Sequence, residues 1–202
     1  MAALLLTCVA FAGAVASAPT KVAAPSSAAI GNVSFSGSGC PSGTTSVLLA
    51  TDKQSFQIIF DEYLASVGGK TVNDKKQCNI DIDLVVPTGY QYSLSAVNYR
   101  GGIFLDSKVT AELIATYKYT GSQGQAKKST TWKGPMDYES YVFTDAFDSP
   151  AWSKCNPNKA PIQISSSISL SNTANKGGSG LITSDSADGA FVQKYTIEWA
   201  KC

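Results

Sequence analysis

The stretch CNIDIDLVVPTGYQYSLSAVNYRGGIFLDSKVTAELIATYKYT, Cys78 to Thr120, decides the fold. Its first segment sets Cys78, Ile80, Ile82, Leu84 and Val86 on one side and Asn79, Asp81 and Asp83 on the other. The second sets Tyr90, Tyr92, Leu94 and Ala96 against Gln91, Ser93 and Ser95. In the third, Val109, Ala111, Leu113, Ala115, Tyr117 and Tyr119 alternate with Lys108, Thr110, Glu112, Thr116 and Lys118. Successive side chains on a strand point to opposite faces. A period of two therefore predicts three consecutive strands of a half-buried antiparallel sheet, separated by two glycine-bearing loops.

The flanking sequence reads as more sheet. Upstream, Val33 and Phe35 alternate with Asn32, Ser34 and Ser36. Thr45 to Leu49 and Ser55 to Phe60 flank Thr51-Asp52-Lys53-Gln54, which suits a hairpin. Asp61 to Val67 reads as one short helical turn ended by Gly68-Gly69. Downstream, Gly121-Ser122-Gln123-Gly124 marks a turn, and a short strand Thr130 to Lys133 breaks at Gly134-Pro135. Glu139 to Asp145 is a strand, Ser149 to Pro161 a loop, and Ile162, Ile164, Ile168 and Leu170 share one face of another strand. Gly180 to Ser184 and Ala190 to Ala200 form the last hairpin, with Tyr195, Ile197 and Trp199 toward the core. Nine or ten short strands and no long amphipathic helix predict a single all-β domain over residues 30–202. An antiparallel β-sandwich is expected, with a closed barrel as the alternative.

The N-terminus reads differently. Ala3 to Val15 is apolar but too short to span a bilayer, and Ala16-Ser17-Ala18 is a small-x-small cleavage site, so residues 1–18 are expected to be a signal peptide. Residues 19–29, rich in Ala, Pro and Ser, are expected to be a disordered leader. A secreted, extracellular, monomeric protein follows, with no membrane span.

Cys8 leaves with the signal, and Cys40, Cys78, Cys155 and Cys202 remain. An even number in an exported chain implies two disulfides with three possible pairings. Spacing selects none; Cys40–Cys78 and Cys155–Cys202 are favoured because each joins near neighbours along the chain. Each closes a loop of ~40–50 residues, worth ~4 kcal/mol by loop-closure entropy. No Cys-x-x-Cys pair and no His are present, so neither a metal site nor a cofactor is expected.

The formal net charge is +1 and Arg100 is the lone arginine, which removes the basic footprint of a nucleic-acid binder and of a polybasic membrane surface. With zero His, Ser–His and Cys–His nucleophile pairs are impossible. No catalytic residue is assigned. Asp81 and Asp83 share one strand face, as glycoside hydrolysis or a shared calcium ion would need, although a solvated strand face explains them as well. Arg100, beside Gly101 and Gly102, suits a carboxylate ligand or an internal ion pair, with Asp106 the first partner expected. The many tyrosines suit either a sugar-stacking platform or a sheet core. Asn32-Val33-Ser34 is the chain's one N-glycosylation acceptor.

Several short motifs recur in order: Gly39-Cys40-Pro41-Ser42-Gly43, Asn98-Tyr99-Arg100-Gly101, Leu105-Asp106, Gly134-Pro135, Trp152-Ser153-Lys154-Cys155, Asp185-Ser186 and Glu198-Trp199-Ala200-Lys201-Cys202. Together they resemble the secreted domain-of-unknown-function 4360 family of filamentous fungi and some bacteria. Lys154 stands where that family usually has Pro. The resemblance implies an exported, disulfide-bonded, mainly β domain and carries over no catalytic residue. The function expected is non-enzymatic, with a cell-wall polysaccharide or a cell-surface protein as partner. A carboxylate-based carbohydrate-active enzyme is the alternative.

Overall fold

A computed structural model describes residues 19–119, 126–147, 152–156, 160–184 and 193–202. The region expected to be a signal peptide and the Asp185-Ser186 motif lie outside the described residues. Among those described there is no helix, and the thirteen strands are all antiparallel.

In chain order the strands are β1 (Lys21–Val22), β2 (Ala29–Ser36), β3 (Thr45–Leu49), β4 (Ser55–Phe60), β5 (Leu64–Val67), β6 (Asn73–Val85) and β7 (Tyr90–Leu105). They continue with β8 (Thr110–Tyr119), β9 (Ala126–Lys133), β10 (Met136–Ala146), β11 (Ala160–Ser171), β12 (Gly180–Thr183) and β13 (Gln193–Lys201). One sheet runs β2-β6-β11-β8-β9. The other has eight strands, with β3-β4-β13-β7-β12-β5 as its path, β1 added beside β13 and β10 beside β7. The two pack together. Tyr117 of β8 meets Tyr195 of β13 edge-on at 5.8 Å, and the Tyr63 hydroxyl crosses to Ser166 of β11 at 3.1 Å. Ile80, Ile82, Ile162, Ile164 and Leu113 of one sheet and Phe56, Leu94, Tyr99, Tyr195 and Trp199 of the other are buried between them.

The alternation read in β6, in β8 to Tyr117 and in β7 as far as Leu94 holds, but the three strands do not share a sheet. β6 and β8 both pair with β11, whereas β7 belongs to the opposite sheet. Alternation reports which face is buried, not which strand lies alongside. Within β7 the parity also changes. Leu94 pairs with Ile197 and Ala96 with Thr196, so Ser95 is an extra residue. Tyr92 and Leu94 are buried before this bulge, and Val97 and Tyr99 after it.

Three local readings are corrected. Residues 61–67 end in strand β5, paired to β12, rather than in a helical turn. Arg100-Gly101-Gly102 lies inside β7 rather than in a loop. Residues 19–29 are not a featureless leader. Lys21 and Val22 pair with Ala200 and Trp199, Lys21 Nζ reaches Glu198 Oε1 at 2.6 Å, and Ala28 is buried. Pairing with β13 gives this polar backbone partners that its composition does not reveal.

The Cys40–Cys78 disulfide is formed, with Cα atoms 5.3 Å apart. It ties the loop after β2 to the middle of β6, below the core face of the five-stranded sheet.

Candidate functional site

The outer face of the five-stranded sheet carries a trough. β11 is its central strand, and its sequence alternates inward Ile162, Ile164, Ile168 and Leu170 with outward Gln163, Ser165, Ser167, Ser169 and Ser171. The outward residues of the flanking strands are mostly longer. Across from Ser165 stand Asn79 and Thr116; across from Ser167, Gln77 and Ile114; across from Ser169, Lys75 and Glu112. Short serines between taller walls leave a channel whose floor follows β11. Two depressions mark it. One of about 560 Å³ involves Lys75, Glu112, Thr131, Ser169 and Ser171; one of about 250 Å³ involves Asn79, Asp81, Thr116, Lys118, Gln163 and Ser165.

The walls are cross-linked. Gln163 Nε2 donates to Asp81 Oδ1 at 2.7 Å, and Ser165 Oγ donates to Asn79 Oδ1 at 2.8 Å. Gln77 Nε2 donates to the same Asn79 oxygen at 3.2 Å, and Ser129 Oγ donates to Glu112 Oε1 at 3.1 Å. Such ladders fix rotamers before any ligand arrives, which lowers the ordering cost of binding. Each depression carries charges of both signs: Asp74, Glu112 and Lys75 at the larger, Asp81 and Lys118 at the smaller.

The candidate carboxylates part company here. Asp81 is exposed and borders the smaller depression, while Asp83, two residues along β6, does not. Glu112, which lines the larger depression with Asp74, stands in register with Ser169, six residues along β11 from Gln163, or ~20 Å away. Glycoside hydrolysis needs two carboxyls ~5–10 Å apart across one bond. Asp81 and Asp83 are ~7 Å apart on one strand face, but Asp81 alone of the two lines a depression, and no metal-ligand cluster occurs among the described residues.

Arg100 occupies the opposite outer face, on the eight-stranded sheet. It stands in register with Val142 of β10, and its immediate neighbours Tyr99 and Gly101 are turned to the core side. The expected Arg100–Asp106 pair is absent. Asp106 lies six residues further along the extended chain, ~20 Å away, and its Oδ2 accepts from the Ser179 N–H at 2.7 Å.

Most tyrosines line the core. Tyr63, Tyr92, Tyr99, Tyr117 and Tyr195 are fully buried. Burial drives the Tyr63, Tyr99, Tyr141 and Tyr195 hydroxyls well above their usual range, so they stay neutral; the Tyr99 hydroxyl has no hydrogen-bond partner among the described residues. The Tyr195 hydroxyl donates to Gln193 Oε1 at 2.6 Å, and Tyr141 donates to the Thr183 carbonyl at 2.8 Å. Among the other described side chains, Tyr90 is half-buried under the Lys201 ammonium, and Tyr138 faces water.

Asn32 is exposed at a bulge in the edge strand β2. Cys155 and Cys202 are exposed free thiols, and the Cys155 thiol is held up first by a hydrogen bond to Cys202. Both flank the Gly89 turn: Asn156 Oδ1 accepts from the Gly89 N–H, and the Cys202 N–H donates to the Gly89 carbonyl.

The sequence reading singled out Asp81 but not the serines of β11. The signal was present in Gln163-Ile164-Ser165-Ser166-Ser167-Ile168-Ser169-Leu170-Ser171, where almost every polar position is the smallest hydroxyl residue.

A family model described as Domain of unknown function (DUF4360) matches residues 26–202. A protein of Arthroderma benhamiae named "Uncharacterized secreted protein" is 36% identical over 182 residues, 88% of this chain and 73% of that protein. A solved structure of TmCBM61 in complex with beta-1,4-galactotriose aligns with 84% of this chain and 88% of its own, at 12% identity and a TM-score of 0.29. The enzymatically active domain of Bacteriophage CBA120 tailspike protein 4 aligns over 85% of this chain and 19% of its own, at 13% identity and a TM-score of 0.23. Scores this low do not establish a common fold.

Proposed function

The chain belongs to the DUF4360 family, and we propose that it is an exported β-sandwich that binds a neutral cell-surface polysaccharide along the β11 trough without cleaving it. The observation that carries this reading is the serine floor between walls of amides, hydroxyls and charges of both signs. Hydroxyl and amide groups serve as donors and acceptors together, as a polyhydroxylated ligand requires. Walls of both signs favour an uncharged chain over a polyanion. No aromatic ring lines either depression. Each sugar is therefore held weakly, and binding strengthens with the number of units engaged.

The test is retention on insoluble neutral glucan and chitin, read beside a variant in which Ser169→Trp fills the floor. Ser169 points away from the core, so the variant should melt as the wild type does. Retention of the wild type and its loss in the filled variant support the reading. A wild type that passes through every neutral matrix, or a filled variant retained equally, removes it.

Two finer points belong to the exported form. Cys155 and Cys202 close a second disulfide under oxidising conditions, and Asn32 carries a glycan. Non-reducing peptide mapping checks both, and free thiols at Cys155 and Cys202 in the secreted protein would count against the first.

A further inference from the structure

The outer face of the eight-stranded sheet holds a second arrangement, built from β7 and β10. Gly102 lacks the Cβ that any other residue would project outward here, and Tyr138 uses that space. A Cβ on Gly102 would lie 2.5 Å from the Tyr138 hydroxyl oxygen, 3.0 Å from Cζ and 3.3 Å from Cε2. The ring thus crosses directly over the backbone of β7 and leaves its other side to solvent, with Tyr138 63% exposed. Arg100 is two residues along the same strand face, ~7 Å away. Beside it stand Val142, 68% exposed, and then the Thr144–Asn98 pair.

The exposed acids Asp137 and Glu139 flank Tyr138 along β10, and the Arg100 end is different. Among the described residues, Val142 in register with Arg100 and the neighbouring Asn98 and Thr144 are uncharged, and Lys194 stands in register with Asn98 on its far side. The ion pairs among the described residues are Lys21–Glu198, further along the outer side of β13, and Lys76–Asp74; neither includes Arg100. Thr144 Oγ1 donates to Asn98 Oδ1.

We propose that this face is a binding site for an acidic sugar, a hexuronate unit whose ring lies on Tyr138 and whose carboxylate meets Arg100. The ring face of a tyrosine suits the C–H face of a pyranose. A guanidinium presents a planar fork that matches a carboxylate with two parallel hydrogen bonds. The ~7 Å between the two side chains' positions corresponds to the reach of one pyranose ring with its exocyclic carboxylate. The site is independent of the β11 trough, which lies on the other sheet and is read with neutral polymers.

The experiment is affinity electrophoresis of the full exported chain in polygalacturonate and in the same polymer after carboxyl reduction. Retardation by the acidic polymer and none by the reduced one is the expected result. Arg100→Lys, which keeps the charge and loses the fork, should weaken binding by about tenfold, and Tyr138→Ala by a similar factor. Both should melt with the wild type. Equal retardation by the reduced polymer overturns the proposal. So do variants that bind as well as the wild type. A melting temperature lowered by Arg100→Lys assigns the guanidinium to the fold and overturns it too.

Discussion

The two outer faces of the molecule solve opposite problems with the same strand geometry. On the five-stranded sheet the central strand is short-chained and its neighbours tall, so the surface is a trough, and its side chains are bonded to one another. On the eight-stranded sheet a glycine lets a tyrosine ring lie across the backbone, so the surface is a platform, with an arginine that no described residue pairs. The trough carries charges of both signs; on the platform the described residues in register around Arg100 are uncharged. The difference shows that the pattern of side-chain size on the outward parity, not the strand order, decides whether a sheet face is a channel or a shelf. It also separates the ligand classes that each face suits.

The largest effect should come from the disulfide under the trough. Cys40–Cys78 anchors β6, which forms one wall, and spans 38 residues. Replacing both cysteines with Ala should cost about 4 kcal/mol by loop-closure entropy, a large share of a typical ~5–15 kcal/mol total. Chemical denaturation reads the loss. Retention on neutral polymer should fall with stability, since the wall loses its tether. A double variant as stable as the wild type would show that β6 is held by the sheet alone.

Next come the two adjacent glycines, which face opposite ways. A Cβ on Gly101 would sit 2.0 Å from the Thr183 carbonyl oxygen and 2.4 Å from the Tyr141 hydroxyl. Backbone cannot swing aside, so Gly101→Ala should cost ~3 kcal/mol or more. A Cβ on Gly102 meets only the far end of the exposed Tyr138 ring. Gly102→Ala should therefore cost ~1 kcal/mol or less while tipping the platform away from the sheet. Paired thermal melts check the contrast, and equal losses at both positions would erase the distinction between inner and outer packing.

A smaller effect is expected at the trough wall. Asn79 Oδ1 accepts from Ser165 and Gln77 together. Asn79→Ala should cost ~0.5–1.5 kcal/mol of stability and weaken neutral-polymer binding several-fold, because two donors lose their fixed geometry. Unchanged binding would mean that the ladder is ornamental to the trough.

Much of this was legible in the sequence, for a definite reason. The Cys78, Ile80, Ile82 and Leu84 alternation is a local signal, and β6 obeys it over that span. The all-β class and the two packed sheets follow from such signals, whereas the Cys40–Cys78 bridge was favoured because it joins near neighbours along the chain. What alternation cannot carry is partner identity, so β7 was placed beside β6 although it belongs across the core. Nor can it show a bulge: Ser95 shifts the parity of β7 by one, and only the register against Thr196 and Ile197 reveals it. Arg100-Gly101-Gly102 looked like a loop because glycine usually marks a turn. Here each glycine makes room for a tyrosine crossing the strand. Asp81 was found because carboxylates attract attention, whereas the serine floor was missed because serine on a strand looks like mere solvation.

The smallest expected effect tests the seam where the two sheets meet. Asp145 of β10 is in register with the buried Val97, so it turns toward the interior at the β9–β10 edge. Its carboxyl is pushed up, first by burial, and drawn partly back by Lys128 of β9. A carboxyl that holds its proton more tightly when folded contributes stability that is complete below its unfolded pKa. That contribution is lost as pH rises through the folded value. Asn mimics the protonated side chain, so Asp145→Asn should match the wild type at acid pH and become the more stable of the two as pH passes through the carboxylate range. The gain is roughly 0.5 kcal/mol at most, because the group is largely exposed and screened by solvent. Tyr99, whose hydroxyl is also pushed up in part by the Asp145 charge, should titrate slightly lower in the variant. Melting temperatures across the acid-to-neutral range decide it. A variant that is less stable at neutral pH would mean that the Lys128 attraction outweighs burial, and that the seam is held by charge rather than merely tolerating it.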